Sequence, residues 1–298
     1  MSKFARIRLM EGGAVAMRDL IRRAAVAAGA TALMLGASAG AAAASTGTAI
    51  PTSHLYWANN QAGTIVEANL NGTSAHIIAS GQHGPRGVAV GASHLYWADE
   101  AAGTIVEAGL NGTSAHVIAS SQGQPLGVAV NASHLYWANA GAGTIVEANL
   151  NGTSAHVIAS SQAQPLGVAV DPSHVYWANF NAGTIVEANL DGTGAHVIAS
   201  SLFPAGVAVG ASHLYWASQS TVTTPGTIVE ANLDGTGAKT IASGKGSPHG
   251  VAVDASHLYW ANQITSPVGT INEANLDGTG AKVIASRQNG PSGVAVGP

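Results

Sequence analysis

The chain of 298 residues has no cysteine, which excludes disulfides, thiolate metal sites and a cysteine nucleophile. Charge is scarce as well. Only 9% of residues are charged, against 46% apolar, and 38 are glycine. A disordered chain would show the opposite balance, and without a Gly-X-Y period the glycine does not make collagen. Positive charge nearly vanishes beyond the start: the first 44 residues hold six of the eleven bases and two of the fifteen acids, leaving −8 on the rest. Nucleic acid and anionic membrane are therefore excluded as partners. Also missing are helix signals beyond the leader, a Walker A loop, a dinucleotide-binding glycine motif and an EF-hand loop.

What is there begins with that leader. Arg18, Arg22 and Arg23 precede an uncharged Ala-, Leu- and Gly-rich stretch from Ala24 to Ala44. A basic start, an apolar centre and a small-residue end read as a secretory signal peptide of bacterial type, cut after Ala44. The stretch is long enough to weigh as a membrane anchor, but its alanine and glycine lower its hydrophobicity, and no membrane insertion is expected after cleavage. Arg22-Arg23 leaves the twin-arginine route open beside the general secretory one. Met17 offers a second start, so residues 1–16 are set aside as an upstream extension. Residues 45–298 are expected to form one secreted, extracellular, monomeric domain.

Internal repetition dominates that domain. His-Leu-Tyr-Trp-Ala begins at His54, His94, His134, His213 and His257, with His-Val-Tyr-Trp-Ala at His174, and Gly-Val-Ala-Val starts at Gly87, Gly127, Gly167, Gly206, Gly250 and Gly293. A period near 40 built from short β-type segments predicts propeller blades. Each unit divides into four strands: Gly-Val-Ala-Val, Ser-His-Leu-Tyr-Trp-Ala, Gly-Thr-Ile-Val-Glu-Ala-Asn-Leu and Ala-His-Val-Ile-Ala-Ser. Asn-Gly-Thr or Asp-Gly-Thr between the last two is a strong hairpin signal, because both central residues of such a turn need positive φ. The first aromatic segment has no Gly-Val-Ala-Val before it, and the last Gly-Val-Ala-Val has no aromatic segment after it. The expected fold is therefore all-β, a six-bladed β-propeller of four antiparallel strands per blade, closed by the C-terminal strand pairing into the first blade. An open solenoid would need end caps, and none can be found in the sequence.

The pattern Pro-x-Gly-Val-Ala-Val-Asp, Leu-Tyr-Trp-Ala-Asn, Ile, Leu-Asp-Gly-Thr, clearest from Pro248 to Thr279, resembles the YWTD repeat of low-density-lipoprotein-receptor-type propellers across residues 51–298. Thr-Asp of that motif is Ala-Asn at Ala58-Asn59, Ala138-Asn139, Ala178-Asn179 and Ala261-Asn262, Ala-Asp at Ala98-Asp99 and Ala-Ser at Ala217-Ser218. Its third-strand Arg is Glu at Glu67, Glu107, Glu147, Glu187, Glu230 and Glu273. The resemblance implies six blades. It transfers no ligand, since the receptor's contact positions have no counterparts here.

Twelve histidines invite a metal site, but ten recur blade by blade. Within a blade, His54 and His76 fall two strand spacings apart, about 9.6 Å, too far to share an ion held at about 2.1 Å per bond. The fourth-strand histidine becomes Lys239 and Lys282 in two copies, which suits an outer edge. The aromatics are expected to pack blade on blade, and the Glu ring to make either a charged band or inter-strand hydrogen bonds. No metal, cofactor or catalytic residue is assigned. Asn71, Asn111, Asn151 and Asn131 form glycosylation sequons, the first three better read as turns.

The six copies disagree in only two connections, those between the second and third strands and those between blades. In a four-stranded meander both emerge on one face, so one face is uniform and the other individualised. Loops on a rigid scaffold are where binding usually lives. The residue before each inner-strand Gly should rim the channel: Arg86, Leu126, Leu166, Ala205, His249 and Ser292. Phe180 and Phe203 fall on the same face, and His83, Lys245 and Arg287 are expected to add positive charge near Arg86 and His249. These positions predict a shallow site for a neutral or anionic ligand, and a non-enzymatic propeller that binds an extracellular protein or carbohydrate. Two alternatives stand beside it. One is a metal-dependent propeller enzyme resembling gluconolactonase-type lactonases or streptogramin lyases, although the six rim positions include no carboxylate. The other is a purely structural component.

Overall fold

The computed structural model describes residues 53–244, 246–263 and 269–298; the leader and Lys245 lie outside them. These residues form 24 strands in six four-stranded sheets. The second blade shows the pattern: inner strand Pro85–Val90, then His94–Asp99, Thr104–Gly109 and outer strand His116–Ala119. All pairings are antiparallel, and the aromatic strand pairs with the third strand without a slip, from His94 opposite Gly109 to Asp99 opposite Thr104. The first blade takes its inner strand from the far end of the chain. Pro291–Gly297 pairs with His54–Asn59, placing Val294 opposite Trp57 and Val296 opposite Leu55. The ring is closed as expected.

Alternation along the aromatic strand explains how blades adhere. Side chains at successive positions leave opposite faces of a sheet, so Leu95 and Trp97 look back while Tyr96 and Ala98 look forward. Tyr56, Ala58 and Ile65 of one blade accordingly pack with Leu95, Trp97 and Val106 of the next. The sixth such cluster joins Leu55 and Trp57 to Tyr259, Ala261 and Ile271 across the closure. Trp57, Trp97, Trp137 and Trp177 are fully buried, each burial favouring folding by about 1.5–3 kcal/mol or more.

Glycine permits the close approach of neighbouring blades. A Cβ on Gly87 would stand 2.3 Å from the Leu126 carbonyl oxygen, and the same contact repeats around the channel to Gly293 against the Arg86 oxygen at 2.2 Å. The hairpin glycines make a second, peripheral set: Gly112, with φ +78°, would meet the Ile78 oxygen of the preceding outer strand at 2.1 Å. The Asn-Gly turn is thus required twice over, for its backbone angle and for the space it leaves.

The Glu ring proves to be inter-strand pairing. Glu67 lies between two imidazoles, His54 Nδ1 at 2.7 Å and His76 Nε2 at 3.6 Å, and Lys239 and Lys282 take the outer place against Glu230 and Glu273. The tyrosine hydroxyl joins this group, donating to Glu147 from Tyr136 at 3.0 Å. Burial, reinforced by the carboxylate, pushes the Tyr96 hydroxyl up to about 12. Where the first turn carries an aspartate, the hydroxyl turns to it instead, as Tyr176 does to Asp171 at 3.0 Å.

Candidate functional site

Every inner strand carries a register shift between its proline and its first valine, for example between Pro85 and Val88. Such a bulge leaves a residue unpaired and re-aims its side chain. The residue released is the one before the glycine, and all six released positions line one cavity of about 270 Å³ at the mouth of the channel: Arg86, Leu126, Leu166, Ala205, His249 and Ser292. Their order around the ring divides the rim in two. His249, Ser292 and Arg86 are consecutive, as are Leu126, Leu166 and Ala205, so a polar arc faces an apolar one.

The loops above this rim are held by a repeated backbone clamp. In five of the six blades the first residue of the connection between second and third strands donates to the carbonyl of the residue before the inner-strand proline, as Glu100 does to Gly84 at 3.1 Å, Phe180 to Gln164 at 3.1 Å and Gln219 to Phe203 at 3.0 Å. Accepting residues adopt positive φ, supplied by glycine at Gly84 and Gly290 but imposed on Gln124, Gln164 and Phe203. A phenylalanine at φ +49° is a costly conformation for a bulky side chain. Phe203 spends it on a ring contact with Phe180, centroids 5.2 Å apart.

On the polar arc, Arg86 Nε donates to Glu100 Oε2 at 2.7 Å. Ser292 is buried, and its hydroxyl donates to the Pro85 and Arg86 carbonyls at 3.2 and 3.1 Å, stitching first and last inner strands together. The Gln219 amide nitrogen lies 3.2 Å from His249 Nδ1, so Nδ1 accepts and the ring proton stands on Nε2. Burial, with the Arg86 charge beside it, pushes His249 down to about 4. At neutral pH the cavity therefore holds one ion pair and one neutral imidazole.

Three candidates from the sequence do not line this cavity. Phe203 stands behind Phe180. His83 is exposed, its backbone nitrogen donating to Asp99 Oδ2 at 3.4 Å. Arg287 belongs to the outer strand Lys282–Gln288, which runs further than expected, and is exposed there with φ +58°. Lys245 lies outside the described residues. Conversely, Glu100, Gln164 and Gln219 line the cavity without having been singled out, and Glu100 brings a carboxylate that the six rim positions lack. Aligning the copies at Phe180 would have found Glu100 and Gln219, which occupy the same place in their blades.

The inter-blade connections also contain a structural latch. Gln122 Oε1 accepts from Trp137 Nε1 at 2.8 Å and Asn139 Nδ2 at 3.0 Å. Gln162 does the same for Trp177 and Asn179, and Gln288 for Trp57 and Asn59 across the closure. Ser201 replaces it beside Trp216 and Ser218. Below the variable loops, this face thus keeps one bonding scheme in which an inter-blade side chain accepts from the tryptophan, glutamine in most blades and serine in one.

Among the described residues, no group of three or more His, Asp or Glu side chains could hold a metal ion, and no helix is long and apolar enough to cross a membrane. No protein-family model matches the chain, and no curated protein matches it in sequence. Among solved structures, it is similar to a chain in the crystal structure of a nidogen/laminin complex, with TM-score 0.72 and 22% identity over 82% of this chain and 98% of that one. The likeness establishes the propeller fold.

Proposed function

We propose that the chain is an exported, non-enzymatic binding propeller that recognises an extracellular protein or glycan through its individualised face. The observation that carries this reading is the contrast between the two faces. One repeats its turns almost unchanged six times, while the other holds differing side chains on clamped loops around a cavity, and keeps Phe203 in a strained conformation to do so. Strain of this kind clusters at functional sites. The similar solved chain comes from a complex between two proteins, which favours a protein partner over a glycan. The expected signal segment, residues 17–44, lies outside the described residues, and export rests on its composition alone. The metal-dependent alternative gains a single carboxylate, Glu100, and that one is paired with Arg86.

The test is capture of a partner by the immobilised full chain, using the proteins of its extracellular surroundings and a glycan array, followed by affinity measurement. Phe180→Ala with Phe203→Ala should weaken binding at least about tenfold, as loss of buried aromatic anchors does. His76→Ala, on the uniform side, should leave it unchanged. The opposite pattern would reject the reading.

A further inference from the structure

We propose that the cavity at the channel mouth binds a free α-amino acid, as its zwitterion, with an apolar side chain. This does not depend on the macromolecular partner proposed above, since the cavity can fill with the outer loops bare. At about 270 Å³ it lies just under the range of about 300–1,000 Å³ usual for drug-sized ligands. The occupant is therefore small.

Charge selects the head group. Arg86 and Glu100 both line the cavity and are joined to each other through Nε and Oε2. Among the described residues, the terminal guanidinium nitrogens and Glu100 Oε1 have no partner. One open edge of this ion pair offers donors, and the other offers an acceptor. A lone carboxylate on Arg86 would stand beside Glu100 and be repelled, while a lone amine on Glu100 would meet Arg86. An α-amino acid carries both charges on adjacent atoms and completes an alternating set of four. Guanidinium groups pair readily with carboxylates in a forked geometry. His249 adds a neutral donor, its Nε2 proton fixed by Gln219 at Nδ1.

Shape and polarity select the side chain. Leu126, Leu166 and Ala205 form the arc opposite the ion pair, and Phe180 extends it upward. Burying an aliphatic or aromatic side chain there removes apolar surface from water on both partners. A polar side chain would find only the amides of Gln164 and Gln219 within that part of the lining, and that of Gln219 is engaged with His249.

The experiment is calorimetric titration of the full-length chain with L-leucine and L-phenylalanine. Each is compared with its des-amino acid (4-methylpentanoate, 3-phenylpropionate) and its methyl ester, and glycine controls for the side chain. Both amino acids should bind. Removing the ammonium or esterifying the carboxylate should weaken binding by about 10- to 100-fold, the usual cost of a hydrogen bond to a charged group. Arg86→Ala should abolish binding, whereas Glu100→Gln, which keeps the shape, should reverse the preference toward the des-amino acid. The proposal is overturned if a folded wild-type chain ignores both amino acids, if the des-amino acid binds as tightly, or if glycine does. None of these outcomes touches capture through Phe180 and Phe203, so the two readings fail separately.

Discussion

Gly293 and Arg86 meet where the ring closes, and no side-chain atom fits between them: a Cβ on Gly293 would stand 2.2 Å from the Arg86 carbonyl oxygen. The neighbour is backbone in a bulge already bonded by Ser292, so it cannot swing aside. Gly293→Ala should destabilise the chain by about 3 kcal/mol, the upper part of the range for overpacking. Gly244→Ala, where an added Cβ would meet nothing within 4 Å among the described residues, should stay within about 0.5 kcal/mol of wild type. Urea denaturation of both variants decides the matter.

A half-buried imidazole makes stability depend on acid. His249 ionises in the unfolded chain near its ordinary value of about 6.5, but burial and Arg86 hold it at about 4 in the native chain. Between those values the unfolded chain binds a proton that the native chain refuses. The stability associated with neutral His249 is therefore complete above about pH 6.5 and is lost as pH falls through about 4, an effect on the order of 3 kcal/mol. Unfolding curves of wild type and His249→Gln should converge or cross over that window, and parallel curves would refute the assignment.

Asp99 should respond in the other direction. It stands where four other blades carry asparagine, is only 4% exposed, and its Oδ1 has no partner among the described residues. Burial raises its pKa, opposed by the His83 backbone amide and then the His83 charge. A raised value means that the native state holds its proton longer, so its contribution is present in acid and lost as pH rises through the native pKa. Asp99→Asn should consequently stabilise the chain by about 1 kcal/mol at pH 7, with the gain shrinking in acid. Thermal unfolding at pH 7 and pH 3 measures both.

The latch carries a further expectation. Gln122→Ala strands the buried Trp137 indole nitrogen and the Asn139 amide, both of which donate to Gln122 Oε1. About 1–3 kcal/mol should be lost. Gln122→Glu retains an acceptor and should cost less, as urea midpoints would show.

Repetition made the fold legible. Six aromatic segments and six small inner segments, offset by one at the ends, give blade number, strand order and closure without reference to any packing detail. The rim was legible for the same reason, because a residue preceding a recurrent glycine occupies an equivalent place in every blade. Glu100 and Gln219 were harder to see. Their side chains reach the cavity only because a backbone clamp folds the connection over the bulge, and nothing in the local composition announces a hydrogen bond to a residue some sixteen positions earlier. Arg287 departs from the expected place because proximity in sequence to a rim residue says little once the intervening chain turns through positive φ. It stays on the outer strand while Ser292, five residues later, reaches the channel.

The pairing of Pro291–Gly297 with His54–Asn59 also fixes an order of events during synthesis. Translation delivers the aromatic strand of the first blade more than 230 residues before its inner neighbour, so a nascent chain on the ribosome presents an unfilled slot beside Leu55 and Trp57 until Pro291–Gly297 has been made. A homologous strand from a second nascent chain would fit that slot equally well, since every inner segment carries the same Gly-Val-Ala-Val. Strand exchange between chains is thus the misfolding route to which this architecture is most exposed.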